Sequence, residues 1–91
     1  MYILGDIGNS ETKIFLVNSK YKIIKKISFP SKNFNQTKLD KSFTQLKIDY
    51  KKLKKILFCS VVPSSFNLIK RFLSNKTTLK SYEVKNLDLK S

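Results

Sequence analysis

Apolar residues fall along this chain in short runs separated by polar turns. Tyr2-Ile3-Leu4 and Ile7 read as one buried strand, Tyr2 to Ile7, that ends at Gly8. Thr12 to Val17 reads as a second strand, and Asn18-Ser19-Lys20 as the turn of a hairpin. Tyr21 to Phe29 is rich in β-branched and aromatic residues and reads as a third strand closed by Pro30. Connections this short allow only an antiparallel meander. Ser31 to Thr37 is a polar loop. Leu39, Phe43, Leu46, Tyr50 and Leu53 then recur at spacings of four, three, four and three, one face of a helix. Asp49 marks a break in that pattern, so the helix is expected from Leu39 to Lys47. Ile56 to Val62 is a nearly continuous apolar run, which suits a central strand covered on both faces. Pro63 ends it, Ser64 or Ser65 is expected to cap the next helix, and Phe66, Ile69, Phe72 and Leu73 form that helix's apolar stripe. Leu79 to Val84 reads as a last strand.

The predicted order is β-β-β-α-β-α-β. A meander followed by strands joined through crossover helices is an α/β architecture. The expectation is a five-stranded mixed sheet with two helices, strands four and five running parallel to strand one. That order resembles the ribonuclease H-like core shared by actin, hexokinase and the sugar kinases.

Composition narrows the function classes. At 91 residues the chain suffices for one small domain, 1–91. The net charge of +13 invites a nucleic-acid reading. Every basic residue except Arg71 is lysine, however, whereas base-edge readers favour the planar fork of arginine. Alanine is absent, and Lys, Asn, Ile, Phe and Tyr are abundant. That skew follows AT-rich coding and accounts for much of the lysine. A basic nucleic-acid module would also expose aromatics among its lysines, while Phe43, Phe66 and Phe72 fall on predicted core faces. Cys59 is the sole cysteine and histidine is absent, which excludes an internal disulfide and Cys/His chemistry. No apolar run approaches the roughly 20 residues that span a bilayer, and the N-terminus does not read as a signal peptide. The expected location is the cytoplasm.

The candidate chemistry lies in Gly5-Asp6-Ile7-Gly8-Asn9-Ser10-Glu11-Thr12-Lys13. The chain has only two glycines, and both flank Asp6. Gly8 can take φ > 0 and lets a ligand approach the backbone. Asp6 ends a strand expected at the centre of the sheet, where open α/β sheets place ligands. The turn amides, Asn9, the hydroxyls of Ser10 and Thr12, and the Lys13 ammonium can turn toward an anion. A carboxylate beside a phosphate repels it unless Mg²⁺ lies between them, often through water. The residues therefore point to a magnesium nucleotide, with Asp6 on the metal and Gly8, Asn9, Ser10, Thr12 and Lys13 around the phosphates. The same residues also suit a plain tight turn, since Asp and Asn bond their own backbone.

Two motifs taken together discriminate. Asp6-Ile7-Gly8-Asn9-Ser10 followed some fifty residues later by Ser60-Val61-Val62-Pro63 and a helix resembles the type III pantothenate kinases. That family opens with a strand and D-x-G-N-[ST], its first phosphate-binding loop. The resemblance implies ATP-dependent phosphorylation of pantothenate, the first step toward coenzyme A. ATP, Mg²⁺ and a monovalent cation (K⁺ or NH₄⁺) are the implied cofactors, pantothenate the second substrate, and a homodimer the implied assembly of the complete enzyme. Ser60 to Pro63 would shape the sheet and the cleft edge.

The resemblance covers the whole chain but only about the first third of the family's length. The family's pantothenate loop, its G-A-D-R aspartate acting as general base, and its second nucleotide-binding half have no counterpart here, and Asp88 lacks that context. The catalytic base is thus unassigned. The chain is expected to be the truncated N-terminal portion of such a kinase, inactive by itself. Gly5 stands where the family has a bulkier apolar residue and is expected to weaken the first strand. A non-catalytic regulatory relative and a nucleic-acid-binding module are the alternatives.

Overall fold

The computed structural model describes residues 1–85. Three strands come first, β1 (Tyr2–Ile7), β2 (Glu11–Val17) and β3 (Ile23–Pro30). Helix α1 (Gln36–Thr44), a single 3₁₀ turn (Tyr50–Lys52), β4 (Lys55–Ser60), helix α2 (Pro63–Ser74) and β5 (Ser81–Glu83) follow. The five strands form one sheet in the order β3-β2-β1-β4-β5. β1 pairs antiparallel with β2 and parallel with β4, and β5 runs parallel to β4. The expected architecture is therefore the observed one.

Both crossovers step the same way across the sheet, from β3 past β2 and β1 to β4 through α1, and from β4 to β5 through α2. Such connections keep one hand, which places both helices on the same face. Ile3 and Ile7 of β1, Ile14 and Leu16 of β2, and Ile56 and Phe58 of β4 meet Leu39, Phe43, Phe66, Ile69 and Phe72 there in one continuous core. The Phe43 and Phe72 rings join the two helices at 5.1 Å. The opposite face carries a smaller cluster, Leu4, Phe15 and Val17, flanked by Tyr2 and Leu57.

Gly5 has a packing reason that its expected weakening of the strand does not reveal. It sits beside Phe58 in the parallel ladder, and a Cβ on Gly5 would collide with the Phe58 ring. The glycine makes room for the largest fully buried side chain in the core.

Several boundaries move for local reasons. The hairpin loop runs through residues 18–22 rather than closing at Lys20. The Asn18 carboxamide accepts from the amides of Lys20 and Lys22, and Tyr21 takes a left-handed φ of 61°. Its ring then stacks on Tyr2 at 5.3 Å. Helix α1 starts and stops three residues earlier than the apolar stripe suggests. Asn35 caps it by accepting from the Lys38 amide, and Lys47 turns the chain at φ 49°. Leu46 stays buried just beyond the helix, and Asp49 caps the 3₁₀ turn that holds Tyr50. The serine cap expected for α2 is a correction. Pro63 occupies the first helical turn, so the cap position falls to Val62, which makes no side-chain cap bond. Ser60 instead bonds both the amide and the carbonyl of Val62, each at 3.0 Å. β4 stops at Ser60 and β5 is shorter than expected. Asp88 lies outside the described residues.

Candidate functional site: the turn after the first strand

The alternation of β1 divides its side chains between the two faces. Ile3, Gly5 and Ile7 face the helices, while Tyr2, Leu4 and Asp6 face the other way. Asp6 is thereby exposed at the end of the central strand. Its ladder partners are Lys13 on β2 and Cys59 on β4, so these three residues share one face at one end of the sheet. Lys13 also lies 3.8 Å from the Glu11 carboxylate, both groups about half exposed.

The turn itself is tight. The Gly8 amide donates to the Glu11 carbonyl at 2.9 Å. Gly8 does not use positive φ, contrary to expectation. Its requirement is close approach, because a Cβ would stand 3.1 Å from that same carbonyl oxygen. Asn9 and Ser10 project from the tip into solvent.

Thr12 departs from its expected place on the ligand side. It is fully buried on the helix face, and its hydroxyl pairs with that of Ser31 at 2.8 Å. The Ser31 amide in turn donates to the Ser10 carbonyl at 3.0 Å. The Ser65 hydroxyl, on the first turn of α2, donates to the Ser31 carbonyl at 2.9 Å. From the other side the Val61 amide donates to the Ile7 carbonyl at 3.0 Å. The turn is thus braced from behind by Thr12, Ser31 and Ser65 and from the flank by the Ser60–Pro63 segment.

Of the six residues expected at the site, Asp6, Asn9, Ser10 and Lys13 reach the open side, Gly8 shapes the backbone, and Thr12 supports it. Ser31 and Ser65 escaped the sequence reading as parts of this structure. Each is one serine among several in a polar stretch, and their pairing spans 34 residues of chain. Among the described residues no three His, Cys, Asp or Glu side chains converge to hold a metal by themselves. Asp6 is a single exposed carboxylate, a donor set that fits a magnesium ion retaining most of its water and leaning on ligand phosphates. No described helix is long and apolar enough to cross a membrane.

Three comparisons bear on this geometry. The family model described as Type III pantothenate kinase matches residues 2–91. A curated protein of that description from Pelagibacter ubique (strain HTCC1062) is 48% identical over 89 residues, which cover 98% of this chain and 36% of the relative. The chain thus spans about a third of that relative's length. Among solved structures, the "Putative N-acetylglucosamine Kinase" from Porphyromonas gingivalis superposes over 92% of this chain and 33% of its own, with a TM-score of 0.64 and 14% identity. That likeness establishes the shared fold.

Proposed function

The chain belongs to the type III pantothenate kinase family, and from that premise we propose that it is the N-terminal, phosphate-binding portion of an ATP-dependent pantothenate kinase. The observation that carries this reading is the pairing of Asp6 with Lys13 across the ladder beside a braced turn. Lys13 offers a charge to the phosphates. Asn9, Ser10 and the turn backbone offer hydrogen bonds. Asp6 is the residue that would hold magnesium through its water shell. The metal supplies charge neutralisation for the transferring phosphoryl group. Burial of Thr12, Ser31 and Ser65 keeps the turn in one shape, so that binding does not have to order it.

Phosphoryl transfer also needs an in-line hydroxyl and a group to accept its proton. In the turn, the Glu11 carboxylate is paired with the Lys13 ammonium at 3.8 Å, and Asp40, Asp49 and Glu83 sit outside it, on α1, before the 3₁₀ turn and on β5. We therefore propose that residues 1–91 bind the nucleotide phosphates but do not phosphorylate pantothenate, and that they work in the cytoplasm.

A titration separates specific binding from simple attraction to a +13 surface. ATP is added to the isotopically labelled chain with and without Mg²⁺ and followed by NMR. Magnesium is expected to tighten binding about tenfold, roughly 1.4 kcal/mol, in the parent and not in Asp6→Asn. An equal magnesium effect in both proteins refutes the role of Asp6. Phosphopantothenate formed above a no-protein control refutes inactivity.

A further inference from the structure

We infer that the pocket between the end of β3, the following loop and α1 is a binding site for a small organic anion with a compact apolar body. The pocket holds about 410 Å³, within the range of small-molecule sites. Phe29, Pro30 and Phe34 form its apolar wall. The two phenyl rings meet edge to face, with centroids 5.5 Å apart at 85°. Lys32, Lys38 and Lys41 stand around it, and no acidic residue lines it.

The three lysines are not equivalent. The Lys38 ammonium donates to the Asn33 carbonyl at 2.9 Å and pins the loop against α1. Asn33, at φ 63°, bends the loop there. Lys32 and Lys41 have no carboxylate partner among the described residues, where the ion pairs are Lys13–Glu11 and Lys76–Asp40. An apolar wall beside two uncompensated ammonium groups selects for a ligand that is greasy at one end and anionic at the other. A purely apolar molecule would leave the charges unused, and a bare inorganic anion would leave the wall exposed.

This pocket is not the Asp6 site, and the inference does not depend on the nucleotide reading. The two are nonetheless connected through one residue. Ser31 precedes Lys32, and its amide and hydroxyl hold Ser10 and Thr12. A ligand that shifts the loop is therefore felt at the turn.

The test uses 2-naphthoate as probe and the full 91-residue chain, uniformly ¹⁵N-labelled. Saturable shifts are expected at the amides of Phe29, Lys32, Phe34 and Lys41, with smaller ones at Ser10. The uncharged analogue 2-naphthylmethanol should bind about tenfold more weakly. The double variant Lys32→Gln/Lys41→Gln alters two exposed side chains, so its ligand-free spectrum should match the parent's while affinity for 2-naphthoate falls about tenfold. Equal affinity of the neutral analogue, or of the double variant, overturns the inference. So do shifts spread over lysines throughout the surface. Shifts at the same amides that depend on protein concentration without any ligand would mean that a second copy fills the pocket, and would overturn it too.

Discussion

The two faces of the sheet are built from the same strands and do different work. On the helix-covered face, Ile3, Ile7, Ile14, Ile56 and Phe58 are completely buried and meet both helices. On the opposite face, Leu4, Phe15 and Val17 form a small cluster that gives way to Asp6 and Lys13 at one end. Burial is concentrated on the first face, and the residues proposed for recognition lie on the second. In a strand each residue alternates between these roles, so one step along β1 passes from core to candidate ligand contact. This contrast makes unequal demands on substitutions of similar chemistry.

The largest effect is expected at Phe58. Truncation to alanine empties the centre of the covered face and should cost about 3–5 kcal/mol in urea unfolding. Leu57→Ala, one residue away and only partly buried on the other face, should cost about 1 kcal/mol. Equal losses would abolish the distinction between the faces. Next comes Gly5→Val, which forces a side chain against the Phe58 ring and should cost about 1–3 kcal/mol. Phe58→Leu in the same chain should recover part of that loss, because the clash is with that ring.

Ser31→Ala tests the brace that links the faces. It leaves the buried Thr12 hydroxyl without its partner and should cost about 1–2 kcal/mol. The same change should broaden the amide signals of Asn9 and Ser10, which a purely local loss of stability would not do. Asp6→Asn should leave stability within about 0.5 kcal/mol, since the side chain is exposed, while removing the magnesium response. A large stability loss there would move Asp6 from recognition to structure.

The smallest effect is alkaline. Burial, with a lesser contribution from Asp40, raises the Tyr50 hydroxyl above its ordinary value of 10.0. Below that pH the phenol is neutral in the folded and the unfolded chain. Above it the unfolded chain ionises first, so stability falls as pH rises into the interval before the folded-state value. Tyr50→Phe should flatten the part of the alkaline decline that belongs to this residue, read as the difference between the two unfolding curves.

The architecture was legible because its determinants are local and periodic. Alternation and continuous apolar runs mark strands, and the stripe Phe66, Ile69, Phe72 marks α2 wherever its ends fall. Helix ends were less legible. Asn35 as a cap and Val62 at the start of α2 depend on single side chains and on the fixed geometry of Pro63. At the candidate site, the exposed placement of Asp6, Asn9, Ser10 and Lys13 follows from the polar turn and from the parity of β1 and β2. The inward turn of Thr12 follows from the parity of β2, which becomes legible once Ile14 and Leu16 are assigned to the helix face. The bonds from Ser31 to Ser10, Thr12 and Ser65 carry no periodic signal, because they join segments distant in sequence.

The position of β1 between a near neighbour and a distant one also orders events in time. Its ladder with β2 closes through a short turn, and hairpins form in about 1–10 μs. Its ladder with β4 must wait until roughly fifty intervening residues have been brought back, the slower kind of contact in any chain. The bond from Val61 to Ile7 belongs to that later step. During synthesis the meander can therefore form as soon as it clears the ribosome, but its Gly8–Glu11 turn acquires its lateral support only after β4 has emerged. A nascent chain halted before that point would display the Asp6–Lys13 turn without the rigidity that the proposed phosphate binding draws on.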